Sequence, residues 1–259
     1  MKKNFTLLAT SSLILALGTS TSVAQDDDQS DAANPVELYA CNYNEGKGPS
    51  DLDAVNKKWN SWADKRDLTD YSAWTLVPFY SSPEQEFDFL WLGVSPSAKA
   101  MGRGQDEWLA EGGKIAAEYD EVGPCNVHVN FAAVEVKAPP EREDPSNIVI
   151  AFSDCNISDG VSFGDDIAPA LGEWGEYRAS HGSTAGIWVF FPVYGGGGEE
   201  FDFKYISAYQ NLEDQGADWD QYSAEGRFKA RELFAGKVSC DSQRVYIATN
   251  VRRAEDDED

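Results

Sequence analysis

The chain is poor in the residues that most often carry metals. It has two histidines, His128 and His181, and its four cysteines include no Cys-x-x-Cys pair. A zinc cluster needs several such ligands at short spacing, so no metal site is expected. An Asp-x-Asp-x-Asp-Gly calcium loop is also lacking. Positive charge is scarce: 21 lysines and arginines stand against 45 acids, for a net charge of −24. A surface of that sign repels phosphate backbones, which argues against nucleic-acid binding. After the first twenty or so residues no segment reaches the ~18 consecutive apolar residues of a membrane span. No membrane association is therefore expected once the leader is removed.

That leader has three parts in order. Met1-Lys2-Lys3-Asn4 is cationic, residues 5–18 are mostly apolar, and Ser22-Val23-Ala24 is a small-x-small cleavage pattern before Gln25. This order reads as a secretory signal peptide over residues 1–24, cut near Ala24, and implies a periplasmic or secreted protein. The acidic segment 25–34 and the acidic tail 254–259 read as solvated and disordered. Cys41, Cys125, Cys155 and Cys240 remain after cleavage, and an even count in an exported chain predicts two disulfides.

The mature sequence is written twice. Cys41-Asn42 matches Cys155-Asn156 at an offset of 114. The same offset carries Gly46 to Gly160, Asp51 to Asp165, Trp74 to Trp188, Pro78 to Pro192 and Tyr80 to Tyr194. It superposes Glu86-Phe87-Asp88-Phe89 on Glu200-Phe201-Asp202-Phe203, and Ala110-Glu111-Gly112 on Ala224-Glu225-Gly226. Cys125 meets Cys240 after one inserted residue. An ordered series at a near-constant offset is a duplication. The proline-rich, charged stretch 138–146 separates unit one (35–137) from unit two (147–253).

Hydrophobic periodicity gives both units one element order. In unit one, strands are predicted at 36–41, 74–80, 87–94 and 126–136, with helices at 51–64 and 105–121 and Ser50 as the first helix cap. Unit two repeats them at 149–155, 187–194, 201–209 and 244–251, with helices at 165–178 and 219–234. Strand-helix-strand-strand-helix-strand is the ferredoxin-like pattern, whose sheet runs 4-1-3-2. Two features agree with that order. One cysteine of each unit ends strand one and the other begins strand four, which are antiparallel neighbours, so Cys41–Cys125 and Cys155–Cys240 are the expected bridges. Each would close a loop of more than eighty residues, worth about 4 kcal/mol on the chain-entropy model. Pro78 and Pro192 fall in strand two, an edge strand of the unit, where proline is tolerated.

Two tandem ferredoxin-like units resemble the dimeric α+β barrel superfamily, in which two such sheets pair around a shared interior. The expected fold class is therefore α+β, a pseudo-dimeric barrel with one disulfide per unit. The repeat pair supplies its own partner, so a monomer is expected. That superfamily includes monooxygenases, isomerases and haem proteins of the chlorite dismutase type. The resemblance rests on topology and matches no catalytic signature. Its haem members rely on a histidine ligand, whereas His128 and His181 read here as surface or structural residues. No cofactor and no catalytic residue are assigned.

Strand alternation puts Val36, Leu38 and Ala40 (with Ile150 and Phe152) on the more apolar parity, expected under the helices. The opposite parity holds Glu37, Tyr39 and Cys41 on strand one, with Ser153 and Cys155 in unit two. On strand four, the cysteine parity as counted contains Val127, Val129 and Phe131, or Ser242, Arg244 and Tyr246. Strand three adds Phe87, Phe89 and Trp91, or Phe201, Phe203 and Tyr205, if its register allows. A barrel interior so lined would offer aromatic walls and a few polar groups, the composition of a small-molecule pocket. Glu37, Tyr39, Trp91, Tyr205, Arg244 and Tyr246 are its candidate ligand residues, and a small apolar or aromatic molecule is the expected partner. The alternative is that the aromatics simply fill the interior. Asp88 and Asp202, being repeat-equivalent, suit a turn better than acid–base chemistry. A non-catalytic or ligand-binding barrel ranks first, ahead of a cofactor-independent monooxygenase- or isomerase-like enzyme and of an interaction protein with a packed interior.

Overall fold

The computed structural model describes residues 33–83, 85–140 and 147–254. The leader, residues 25–32 of the acidic segment, residues 141–146 of the linker and the tail from 255 onward lie outside the described residues.

Unit one runs β1 (Asn34–Cys41), α1 (Pro49–Asp64), β2 (Ser72–Tyr80), β3 (Phe89–Val94), α2 (Ala98–Glu111), α3 (Gly113–Val122) and β4 (Cys125–Lys137). Unit two runs β5 (Asn147–Ile157), α4 (Ala168–Ser180), β6 (Gly186–Tyr194), β7 (Phe203–Tyr209), α5 (Leu212–Gln221), α6 (Arg227–Phe234), β8 (Val238–Cys240) and β9 (Arg244–Arg252). Helix α1 opens with proline, whose fixed φ and missing N–H suit the first helical position. Gly48 is its N-cap, and the Asp51 carboxylate accepts from the Gly48 N–H at 3.1 Å. Ser50 lies inside the helix rather than capping it, because Pro49 starts the helix earlier.

Each unit has the 4-1-3-2 order. In unit one β1 pairs with β4 and β3, and β3 with β2; in unit two β5 pairs with β8, β9 and β7, and β7 with β6. The outer strands then join across the units, β2 to β9 and β4 to β6. Eight strand positions close into an antiparallel barrel, with β8 and β9 together filling one of them. Pro78 faces Tyr246 and Pro192 faces Phe131, and the ladder shifts register beside each. A strand that is an edge within its unit is thus paired in the barrel, and the proline is accommodated where the ladder is irregular.

Both disulfides are formed, Cys41–Cys125 and Cys155–Cys240, across strands held in direct register. The repeated Glu-Phe-Asp-Phe motif secures the same corner twice. Asp88 accepts from the Tyr43 N–H at 2.8 Å and its own N–H donates to the Cys41 carbonyl; Asp202 does the same with Ile157 and Cys155. These aspartates are turn residues, as their equivalence suggests.

The two faces of the sheet are the reverse of the sequence expectation. Val36, Ala40, Leu90, Leu92, Phe131, Ile150 and Phe152 point into the barrel and pack with Leu76, Phe190, Ile206 and Tyr246. Cys41, Phe89, Cys155 and Phe203 face outward and are covered by α1, or by α4 and the turn before it, through Leu52, Val55, Ile167 and Leu171. A closed barrel of this size fills with its own side chains, so it takes the more uniformly apolar parity. Burial of each large apolar side chain there contributes about 1.5–3 kcal/mol. The described side chains thus pack the barrel interior, as in the reading in which the aromatics fill that space.

A second error in the expected faces has a local cause. The register shifts between Ala40 and Cys41, so Cys41 faces Cys125 while Ala40 faces Val127. In unit two, Cys155 faces Cys240 but Phe152 faces Arg244, again one residue extra on strand four. A bulge of one residue reverses every later side chain. Val127, Val129, Phe131, Arg244 and Tyr246 consequently leave the cysteine face, and His128 joins it.

The second helix of each unit is irregular at the repeated glycine. Between α2 and α3 the helix breaks at Gly112, and between α5 and α6 a π-helical turn spans Tyr222–Gly226. A Cβ on Gly112 would lie 2.3 Å from the Trp108 ring, so only glycine lets that indole fold back over its own helix.

Candidate functional site

Two clefts open between helices and sheet, one per unit, on the outward face that the disulfides occupy. The first encloses about 410 Å³ and the second about 720 Å³. Eight Phe, Tyr or Trp side chains line each, and each is built around one deeply buried ionised side chain.

In the first cleft that side chain is Glu37, only 6% exposed. Strand β1 aims it under the helices, opposite Gly93 on β3 and Asn130 on β4. A larger β3 residue at that point would displace the Tyr71 hydroxyl, since a Cβ on Gly93 would fall on it. Four groups hold the carboxylate. Tyr71 donates to Oε1 at 2.6 Å; Tyr39 (3.2 Å), Gln105 (3.0 Å) and His128 Nε2 (3.1 Å) meet Oε2. Trp91 in turn donates to the Tyr71 hydroxyl at 2.9 Å. Burial opposes the charge on Glu37, but the bonds from His128, Tyr71 and Gln105 outweigh it and hold its carboxyl below the usual range. Burial and the Glu37 charge push the Tyr39 and Tyr71 phenols well up, so both remain donors. Trp59 meets Trp91 edge-on at 5.0 Å and Trp62 meets Trp108 at 5.3 Å, lining the rest of the space with indoles.

In the second cleft the central group is Arg178, 3% exposed. It continues the apolar stripe of α4, one turn beyond Trp174 and two beyond Ala170. Its guanidinium donates to Asp218 at 2.6 and 3.3 Å, to the Tyr205 hydroxyl at 2.8 Å, to Tyr209 at 3.2 Å and to Ser207 at 3.4 Å. Tyr209 also donates to Asp218 at 3.0 Å. Burial works against the charge, but Tyr205, Tyr209 and Asp218 outweigh it and keep the arginine charged. Trp219 and Tyr222 stand exposed at the rim.

Of the six residues expected to bind ligand, Glu37, Tyr39 and Trp91 come together in the first cleft, and Tyr205 lines the second. Arg244 and Tyr246 line neither. Arg244 is paired with Asp154 at 3.0 Å and Asp241 at 3.2 Å, in a cluster with Lys204, which also bonds Asp154. Tyr246 is packed in the barrel and accepts a bond from Gln85. Ser153 is buried on the helix side of β5, opposite Tyr205. Sequence reasoning missed Tyr71, Gln105, Arg178 and Asp218 as site residues, and read His128 as an ordinary histidine. An arginine continuing the apolar stripe of α4 was the available signal for Arg178.

Among the described residues no group of three metal-ligating side chains is present, and no helix is long and apolar enough to cross a membrane.

No family model matches the sequence, and no curated protein matches it. Solved structures match the fold. A candidate monooxygenase from Fusobacterium nucleatum subsp. nucleatum has a TM-score of 0.55 at 7% identity, over 85% of this chain and 94% of that one. A candidate monooxygenase from Lactobacillus acidophilus has a TM-score of 0.53 at 10% identity, with the same coverage. A mutant chlorite dismutase from Candidatus Nitrospira defluvii has a TM-score of 0.52 at 7% identity, over 86% and 94%. These likenesses establish the dimeric α+β barrel fold within a single chain. His128 presents its Nε2 to Glu37. His181 sits at the end of α4, outside both clefts, with Nδ1 on the Tyr177 carbonyl at 2.8 Å.

Proposed function

We propose that this is an exported small-molecule-binding α+β barrel that holds an aromatic ligand in the cleft of its first unit. The observation that carries the reading is the first cleft itself. It has a volume of about 410 Å³ and indole walls, with polar groups converging on one buried carboxylate. Small-ligand sites have this composition, mostly apolar with a few fixed polar groups that orient the guest. Export is supported by the order of the leader and by the two disulfides, which persist in oxidising compartments.

A thermal-shift screen of planar aromatic compounds tests this function. A binder should raise the melting temperature of the wild type, and Ala116→Phe, which fills the first cleft, should remove that increase. Absence of any binder, or an increase that A116F leaves intact, would overturn the assignment.

A further inference from the structure

The Glu37 carboxylate dictates which nitrogen of His128 carries hydrogen. An ionised carboxylate only accepts, so the Nε2 atom 3.1 Å away must be the donor. In the neutral imidazole the lone pair then lies on Nδ1. That atom has no hydrogen-bond partner among the described residues. The His128 side chain is 47% exposed and lines the cleft. Its ring lies flat on Tyr39, with centroids 3.8 Å apart and planes 11° from parallel. Carboxylate and phenol together fix both the tautomer and the tilt of the imidazole.

We propose that the first cleft takes a planar phenol or enol whose hydroxyl gives its proton to His128 Nδ1, so that the ligand is held as its anion. This rests on the reading that the first cleft is the ligand site. The O–H bond breaks, its electron pair stays on oxygen, and an N–H bond forms on His128. The resulting imidazolium stands between the Glu37 carboxylate and the ligand anion. Glu37 is a positioning residue here, acting through His128.

The charge of the molecule favours this ligand class over a carboxylic acid. A net charge of −24 repels a permanent anion, whereas a neutral phenol approaches freely and ionises only inside. Transfer to His128 leaves the net charge of the cleft unchanged. The other charged groups lining it are Asp70, paired with Arg103 at 2.6 Å, Arg252, paired with Asp64 at 2.7 Å, and Asp120 on α3. Asp120 opposes an anion, and the imidazolium offsets that repulsion. The second cleft cannot act this way, because Arg178 is already charged and its donors are engaged.

Spectroscopic titration of the full chain with 4-nitrophenol tests the proposal, with calorimetry to measure binding and 4-nitroanisole as a probe that has no acidic hydroxyl. The bound nitrophenol should ionise about 1–3 pH units below the free probe, read from the phenolate absorption band. His128→Gln should keep the probe bound but abolish that shift, and His128→Asn provides a second, smaller substitution. Glu37→Gln should shrink the shift. A probe that binds but ionises as in free solution would overturn the proton transfer while leaving the cleft a binding site. A shift that survives in both histidine variants would overturn the role of His128. Failure of both probes to bind would overturn the site reading itself along with the proposal.

Discussion

The two clefts occupy the same place in two copies of one unit, yet one is centred on a buried anion and the other on a buried cation. Glu37 corresponds to Ala151 in the second unit, and Arg178 corresponds to Asp64 in the first, where it is an exposed partner of Arg252. Neither charge is inherited from the repeat. What the units share is the surrounding scaffold: the disulfide, the Asp88 and Asp202 corners, and the helix interrupted at a glycine. The difference teaches that the scaffold tolerates either sign, provided every hydrogen-bonding position on the buried group is met. It also separates their roles. Arg178 is saturated by an acid, two phenols and a serine, whereas the network on Glu37 ends in a histidine with a lone pair to spare.

The largest expected effect breaks the second cleft. Arg178→Met leaves Asp218 without its ion pair in a mostly buried position, and such a loss costs about 3–5 kcal/mol. Denaturant unfolding should show it, and adding Asp218→Leu should recover much of the loss, because the pair then leaves together. Recovery of nothing would mean that the tyrosine bonds, rather than the ion pair, organise the cleft.

A smaller effect, with a pH signature, belongs to the first cleft. Glu37→Gln removes charge-assisted bonds worth about 1.5–3 kcal/mol. The folded carboxyl titrates below its ordinary value of about 4.3, so its stabilisation is fully present above that value and lost as pH falls through the lower folded one. The stability gap between wild type and E37Q should therefore hold from neutral pH down to about 5 and narrow on further acidification. The guanidinium of Arg178 does not titrate there and contributes no such slope. A gap that stays constant into strong acid would remove the ionised Glu37 from the account.

The smallest effect sharpens the comparison at the shared glycine. Gly112→Ala would drive a methyl into the Trp108 ring and its backbone carbonyl, at 2.3 and 2.5 Å, and should cost about 1–3 kcal/mol. Gly226→Ala meets first the end of the flexible Gln221 side chain, at 3.0 Å, and should fall within about 1 kcal/mol of wild type. Equal costs would show that the two interruptions serve backbone geometry alone.

Much of the fold was legible because it is written twice. The offset of 114 fixed the element order, and the cysteine positions then selected both bridges. The facing of side chains was not legible, because alternation does not say which parity the barrel interior takes, and one extra residue on strand four in each unit reverses its alternation without any residue type announcing the bulge. Glu37, Tyr39 and Trp91 were found together because they alternate correctly on β1 and β3, where no bulge intervenes. Tyr71 and Gln105 come from a loop and a helix that only the folded chain brings to β1. Asp218 falls on Gly104 in the first unit, so the repeat gave it no counterpart to stand against.

The strand pairs that join the units, β2 with β9 and β4 with β6, lie within one polypeptide. In a barrel assembled from two identical chains, every substitution would be copied into both halves, and the clefts could never come to differ. Fusion of the halves removes that constraint. Each unit can then vary alone, one anchoring its helices with a saturated ion pair while the other keeps a basic nitrogen in reserve.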